Sequence, residues 1–191
     1  HSSNPPTFVP PILREVGGFT TDSESLVYLS DGGHFENLGL YEMVRRRCRC
    51  IIVSDAGCDP QYSFEDLSNA VRKIRIDFSI PIEFGPGGIG IDRAGQGQGN
   101  PHFAIGTIRY SAVDGPVGDG VLVYMKATLS GDEPADVLNY ARSHAAFPHE
   151  PTSTQFFTEP QFESPRMLGL HTIEQALASP ALAGAWQATA T

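Results

Sequence analysis

Twice in the first third of the chain a short apolar run stops at serine and aspartate and then turns at glycine: "LVYLSDGG" at 26–33 and "CIIVSDAG" at 50–57. This repeated grammar restricts the fold more than any other feature of the sequence. Apolar runs of that length make buried strands, and each turn leads into residues at helical spacing. After the first, Leu38, Tyr41 and Val44 share a helical face, and Arg45, Arg46 and Arg47 stand where cations favour a helix C-terminus. After the second, Ser63 and Asp66 resemble a capping box, and Phe64, Leu67, Val71, Ile74 and Phe78 mark one face opposite Arg72, Lys73 and Arg75. A strand "IPIEF" at 80–84 comes next. Alternation of this kind predicts a βαβαβ core over 26–84 with parallel strands, in which ligands meet the carboxyl ends. Asp31 and Asp55 both stand at such ends.

The rest of the chain reads as additions to that core in a single domain. Residues 1–25, rich in proline, serine and threonine, form an extended lead-in, and the glycine-rich 85–101 is a loop. From 102 to 191 the expectation is a β-pair ("FAIGTIRY" with "VLVYMKA"), a helix in "GDEPADVLNYARSH", and a wrapping tail. That tail, 147–165, holds four prolines and four phenylalanines and is expected to be irregular, with a short helix at "TIEQALAS" closing the chain.

Composition excludes several classes. With 191 residues, 40% of them hydrophobic, the chain can build an apolar core. A net charge of −9, with clustered basic residues only at 45–49, argues against nucleic acid as a partner. No run approaches the ~20 apolar residues needed to cross a bilayer, so a soluble, cytoplasmic piece is expected. The start at His1, without a signal segment, reads as a cut from a longer protein whose upstream part could associate with a membrane. Cys48, Cys50 and Cys58 are too few and too oddly spaced for structural zinc and are expected as buried free thiols. Gly85, Gly87 and Gly90 satisfy G-x-G-x-x-G, but no helical pattern comes after them to supply the amides that hold a phosphate. The six histidines show no ligand spacing.

Asp31 is the candidate that carries chemistry. An acid at a strand end, followed by Gly32 and Gly33, allows close approach of a substrate or another backbone. The same residues also make an Asx turn or a helix N-cap, and spacing alone favours that structural reading. His34 reads as a capping or surface residue that shapes the turn.

The stretch "DGGHFENLGLYEMV" resembles the aspartate motif of the patatin and cytosolic phospholipase A2 superfamily, in which D-x-G is followed four residues later by asparagine and a helix. Asp31, Gly33 and Asn37 match, and Gly39 stands where proline is common. The continuation from Cys50 to Phe84 is similar to the strand, loop, helix and strand after that motif. "DVLNYARSHAAFPHEPTSTQFF" resembles large bacterial patatin-like phospholipase proteins with hydrophobic segments upstream. The likeness runs over about 20–170, and its specificity is concentrated in 28–58.

The resemblance implies a partial three-layer patatin-like α/β fold with a mostly parallel sheet, an added β-hairpin and a proline-rich tail. It implies a serine–aspartate dyad acting on phospholipid or another lipid ester, with no cofactor and no metal. Asp31 would be the base, Gly32 and Gly33 would let the turn approach the nucleophile elbow, Asn37 would brace it, and His34 would sit beside it. No G-x-S-x-G occurs in the chain, and Ser30 and Ser54 lack the flanking glycines of an elbow. The expectation is the acid half of an acyl hydrolase, inactive alone. The competing expectation is a non-catalytic interaction module that keeps the turn. An exposed sheet edge beside the first strand would favour a homodimer.

Overall fold

In the computed structural model the described residues are 13–14, 16–19, 21, 23, 31–86, 88–91, 102–151, 153 and 156–189. They fall in two units, His1–Phe35 and Glu36–Thr191. The expected strand at 26–30, and residues 87 and 92–101 of the glycine-rich loop, lie outside the described residues.

The second unit is built on a four-stranded sheet: β1 (Cys50–Asp55), β2 (Ile82–Phe84), β3 (Phe103–Ile108) and β4 (Gly120–Lys126), in the order β1-β4-β3-β2. Its helices are α1 (Leu40–Arg45), α2 (Glu65–Phe78), α3 (Ser111–Asp114), α4 (Ala135–Ser143), α5 (Glu159–Ala178) and α6 (Pro180–Thr189). The α/β class is as expected. The pairing corrects the expectation of a mostly parallel sheet: β1 and β4 run parallel, while β4–β3 and β3–β2 are antiparallel. The physical reason is that the β3–β4 hairpin inserts beside β1, taking the place a crossover would have given to β2, which is only three residues long at the far edge.

Alternation along the strands decides which residues face which layer. Ile51, Val53, Leu122 and Tyr124 join one apolar cluster with Leu40 and Val44 of α1 and Leu67, Ala70 and Ile74 of α2. On the other face Phe103 and Val123 pack with Ala176 of α5 and Leu182 of α6. Helices therefore cover both faces, the layering expected of an α/β domain. Cys50 falls in the outward phase of β1, so the expectation of buried thiols fails there. Cys50 and Cys58 are exposed, Cys48 is half-buried, and all three are free.

The helix ends show where local rules were followed and where they were not. α1 starts beneath Glu36, whose buried carboxylate accepts the Leu38 and Tyr41 amides at 2.6 and 3.2 Å. Its C-terminal arginines are anchored as the helix dipole favours: Arg45 and Arg46 bond Glu42, and Arg47 bonds Asp114 at 2.6 Å. α2 is not capped by a Ser63–Asp66 box. Asp59 caps it instead, accepting from the Ser63 amide, the Ser63 hydroxyl and the Phe64 amide, each at 2.9 Å.

The largest difference lies in the tail, where α5 begins at Glu159 and runs through Pro165 to Ala178. Thr158 caps it through the Gln161 amide, and Pro160 lies in the first turn, where no N–H is missed. Pro165 costs one intrahelical bond. Offsetting that, Ser164, Leu168, Thr172 and Ala176 recur every fourth residue and are all buried, so packing carries the helix past the proline. No helix among the described residues is long and apolar enough to cross a membrane.

Ile74, with no exposed surface, and Ile76, 69% exposed, sit two positions apart on α2. Ile74→Ala is expected to lower unfolding stability by roughly 2–5 kcal/mol, and Ile76→Ala to stay within about 0.5 kcal/mol. Denaturant titration of both variants checks the assignment of the buried face.

Candidate functional site

In the first unit, Asp31 caps a short 3-10 turn, Gly32–His34, and its Oδ1 accepts the Gly33 amide at 2.8 Å. This is the Asx geometry that the sequence allows for an acid before two glycines. Oδ2 of Asp31 accepts no hydrogen bond among the described residues, and the side chains of Asp31 and His34 are exposed. A Cβ on Gly32 would meet no heavy atom within 4 Å, so the described residues make no close approach there. Asn37 belongs to the second unit, where its amide donates to Asp66 Oδ2 at 3.0 Å, an anchor onto α2.

The second unit gathers its polar chemistry at the carboxyl ends of β1 and β4. Asp55 continues the inward phase of Ile51 and Val53, and Lys126 continues that of Leu122 and Tyr124. Register sets Asp55 opposite Lys126, so the two buried chains meet: Lys126 Nζ lies 3.0 Å from Asp55 Oδ2, each side chain 2% exposed. Tyr124 donates to the same oxygen at 2.5 Å, and Asp55 Oδ1 accepts the Gly57 amide at 2.8 Å. Lys126 also donates to the Gly57 carbonyl and lies 3.9 Å from Asp59. Burial, and then the bond to Asp55, hold the Tyr124 phenol protonated far above its ordinary range. Burial pushes the Asp59 carboxyl up, but its bonds from Ser63 and Phe64 and the Lys126 charge outweigh it, leaving the group below its usual value.

This arrangement decides what Asp55 does. Both its oxygens are engaged and its charge is paired, so it acts as a strut between β1, β4 and the adjoining loop. The Ser54 side chain points to the opposite face by strand alternation, and its hydroxyl makes no hydrogen bond among the described residues. The strut was readable in the sequence: a charged residue in the buried phase of an apolar strand needs a buried partner, and both strands end that way.

Around the strut, His149 fastens the segment before α5. Its ring is buried, Nδ1 accepts the Asp59 amide at 3.2 Å, and its carbonyl accepts the Cys58 thiol at 3.0 Å. Nε2 is buried without a hydrogen-bond partner among the described residues. Burial, and then the Lys126 charge, draw the imidazole below its ordinary range despite Asp59 and Asp55. A cleft of about 320 Å³ lies beside this group, between the ends of β1 and β4, Pro148, Glu150 and α5. Its lining is mixed, including Ser54, Asp55, Leu168 and Thr172.

A second polar group lies at the other side of β4. His102, buried just before β3, has Nε2 2.8 Å from Ser130 Oγ, while His171 of α5 places Nε2 3.1 Å from Asp132 Oδ1. Three elements far apart in sequence contribute, so no short motif announces the group.

Comparison with protein-family models, curated proteins and solved structures gives one result. None matches the chain. The functional reading therefore rests on the residues themselves.

Breaking one side of the Asp55–Lys126 pair strands a buried charge. Lys126→Met is expected to cost roughly 3–5 kcal/mol, and adding Asp55→Asn to recover part of that loss, read by a double-mutant cycle of unfolding free energies. A second expectation concerns pH. The His149 pKa is depressed in the folded chain, so below the unfolded value of about 6.5 the unfolded chain takes up the proton first and stability falls as pH drops. His149→Asn, which keeps an acceptor for the Asp59 amide, is expected to flatten that slope by up to ~1.4 kcal/mol per pH unit. An unchanged slope between pH 7 and 5 would contradict it.

Proposed function

We propose that this chain supplies the aspartate of a serine–aspartate lipid acyl hydrolase acting on phospholipid or another lipid ester. The observation that carries the reading is the constellation Asp31, Gly33 and Asn37 ahead of a helix, with Asp31 at the head of a tight turn and its second carboxylate oxygen open among the described residues. A base in this role needs an oxygen directed at the nucleophile's hydroxyl while its other oxygen is held in place. Asp31 has that division among the described residues: Oδ1 is tied to the Gly33 amide and Oδ2 accepts no bond. Asp55, the competing aspartate at the end of β1, has both oxygens engaged.

In this reading the serine and the oxyanion donors come from a segment outside these 191 residues. Asp31 takes the serine proton as the hydroxyl attacks the ester carbonyl, then returns a proton to the leaving alcohol. Attack of water on the acyl-serine, with the same aspartate as base, closes the cycle. Upstream segments would hold the assembly at the membrane that contains its substrate, on the cytoplasmic side.

The test uses the natural reading frame that contains this chain, assayed on phospholipid and a chromogenic ester. Asp31→Asn is expected to lower kcat about 10²–10⁴-fold with little change in Tm, because the amide keeps the turn but cannot take the proton. The 191-residue chain alone is expected to show no turnover. Full activity in Asp31→Asn would instead favour the interaction module.

A further inference from the structure

We propose that His102, Asp132 and His171 bind a divalent transition-metal ion, zinc by ligand type, which fastens α5 to the loop between β4 and α4. The ligand atoms lie within 4.8 Å of one another: His171 Nε2 is 3.1 Å and His102 Nε2 3.8 Å from Asp132 Oδ1. A tetrahedral ion with bonds of about 2.0–2.2 Å holds its ligand atoms about 3.3–3.5 Å apart, and the two distances to Asp132 bracket that spacing. Two imidazoles and a carboxylate suit zinc better than calcium or magnesium, which prefer all-oxygen shells.

The surroundings suit that role. His102 Nδ1 lies 3.1 Å from the hydroxyl of Thr128, a fully buried residue. An outer hydrogen bond of this kind orients metal-ligating histidines, and here Nε2 is the ring nitrogen on the Asp132 side. His102 Nε2 lies 2.8 Å from Ser130 Oγ, which also bonds Asp132 Oδ1 and the buried Glu133. The rings of His102 and His171 lie 5.2 Å apart and nearly perpendicular.

The ligands come from the start of β3, the β4–α4 loop and α5, so an ion here joins three elements that no short motif links. Binding to the folded chain alone raises its stability by mass action.

The test is zinc titration of the 191-residue chain by calorimetry, with metal content after dialysis and Tm with and without zinc. One equivalent per chain and a Tm raised by several degrees are expected, with both effects lost in His171→Gln and in Asp132→Asn. These two residues reach the surface, so both variants are expected to fold, and far-UV circular dichroism checks that they do. A Cys48, Cys50 and Cys58 triple substitution to serine is expected to bind as wild type. The absence of saturable binding, binding unchanged in the two ligand variants, or binding abolished by the cysteine substitutions would each overturn the assignment.

Discussion

The second unit depends on one buried ion pair. Asp55 and Lys126 close the parallel ladder of β1 and β4, and neither could sit at 2% exposure without the other. Once paired, they organise the loop and the helix beyond β1. The Gly57 amide and carbonyl are drawn to the two charges, which turns the chain toward Asp59. Asp59 then caps α2, and its own amide is bound by His149, which ties the segment ahead of α5 to the same corner. A single pair thus sets the exit of β1, the entry of α2 and one wall of the cleft.

That role separates the two aspartates that share the strand, serine, aspartate, glycine grammar. Asp55 is enclosed by donors and is structural. Asp31 heads a short turn with one oxygen fixed and the other open among the described residues, the division that the proposed proton transfer from a serine would use. Likeness of sequence pattern therefore hides a difference in surroundings, and burial with its compensating partners creates that difference.

Much of the fold was legible because it rests on local periodicity. β1, α1, α2, the β3–β4 hairpin and α4 arise from alternation and helical spacing in their own residues. Long-range choices were not legible. Which strand lies beside β1 is decided by how the hairpin packs, so the mixed pairing could not be read from runs that are each compatible with either direction. Pro165 suggested irregular chain, yet the fourfold recurrence from Ser164 to Ala176 buried enough surface to carry the helix through it. Ser63 looked like a cap because its spacing to Asp66 fits, but Asp59 supplies a charge and both oxygens, which a single hydroxyl does not match. The His102, Asp132 and His171 group was invisible for a different reason: its members are brought together only by the tertiary fold.

That these 191 residues carry the acid of a hydrolase whose nucleophile lies elsewhere is tested most directly by a fluorophosphonate probe. The natural reading frame is labelled and the modified peptide mapped. The expected result is a single labelled serine outside this chain, with Ser30 and Ser54 untouched. Label on either of those serines would contradict it.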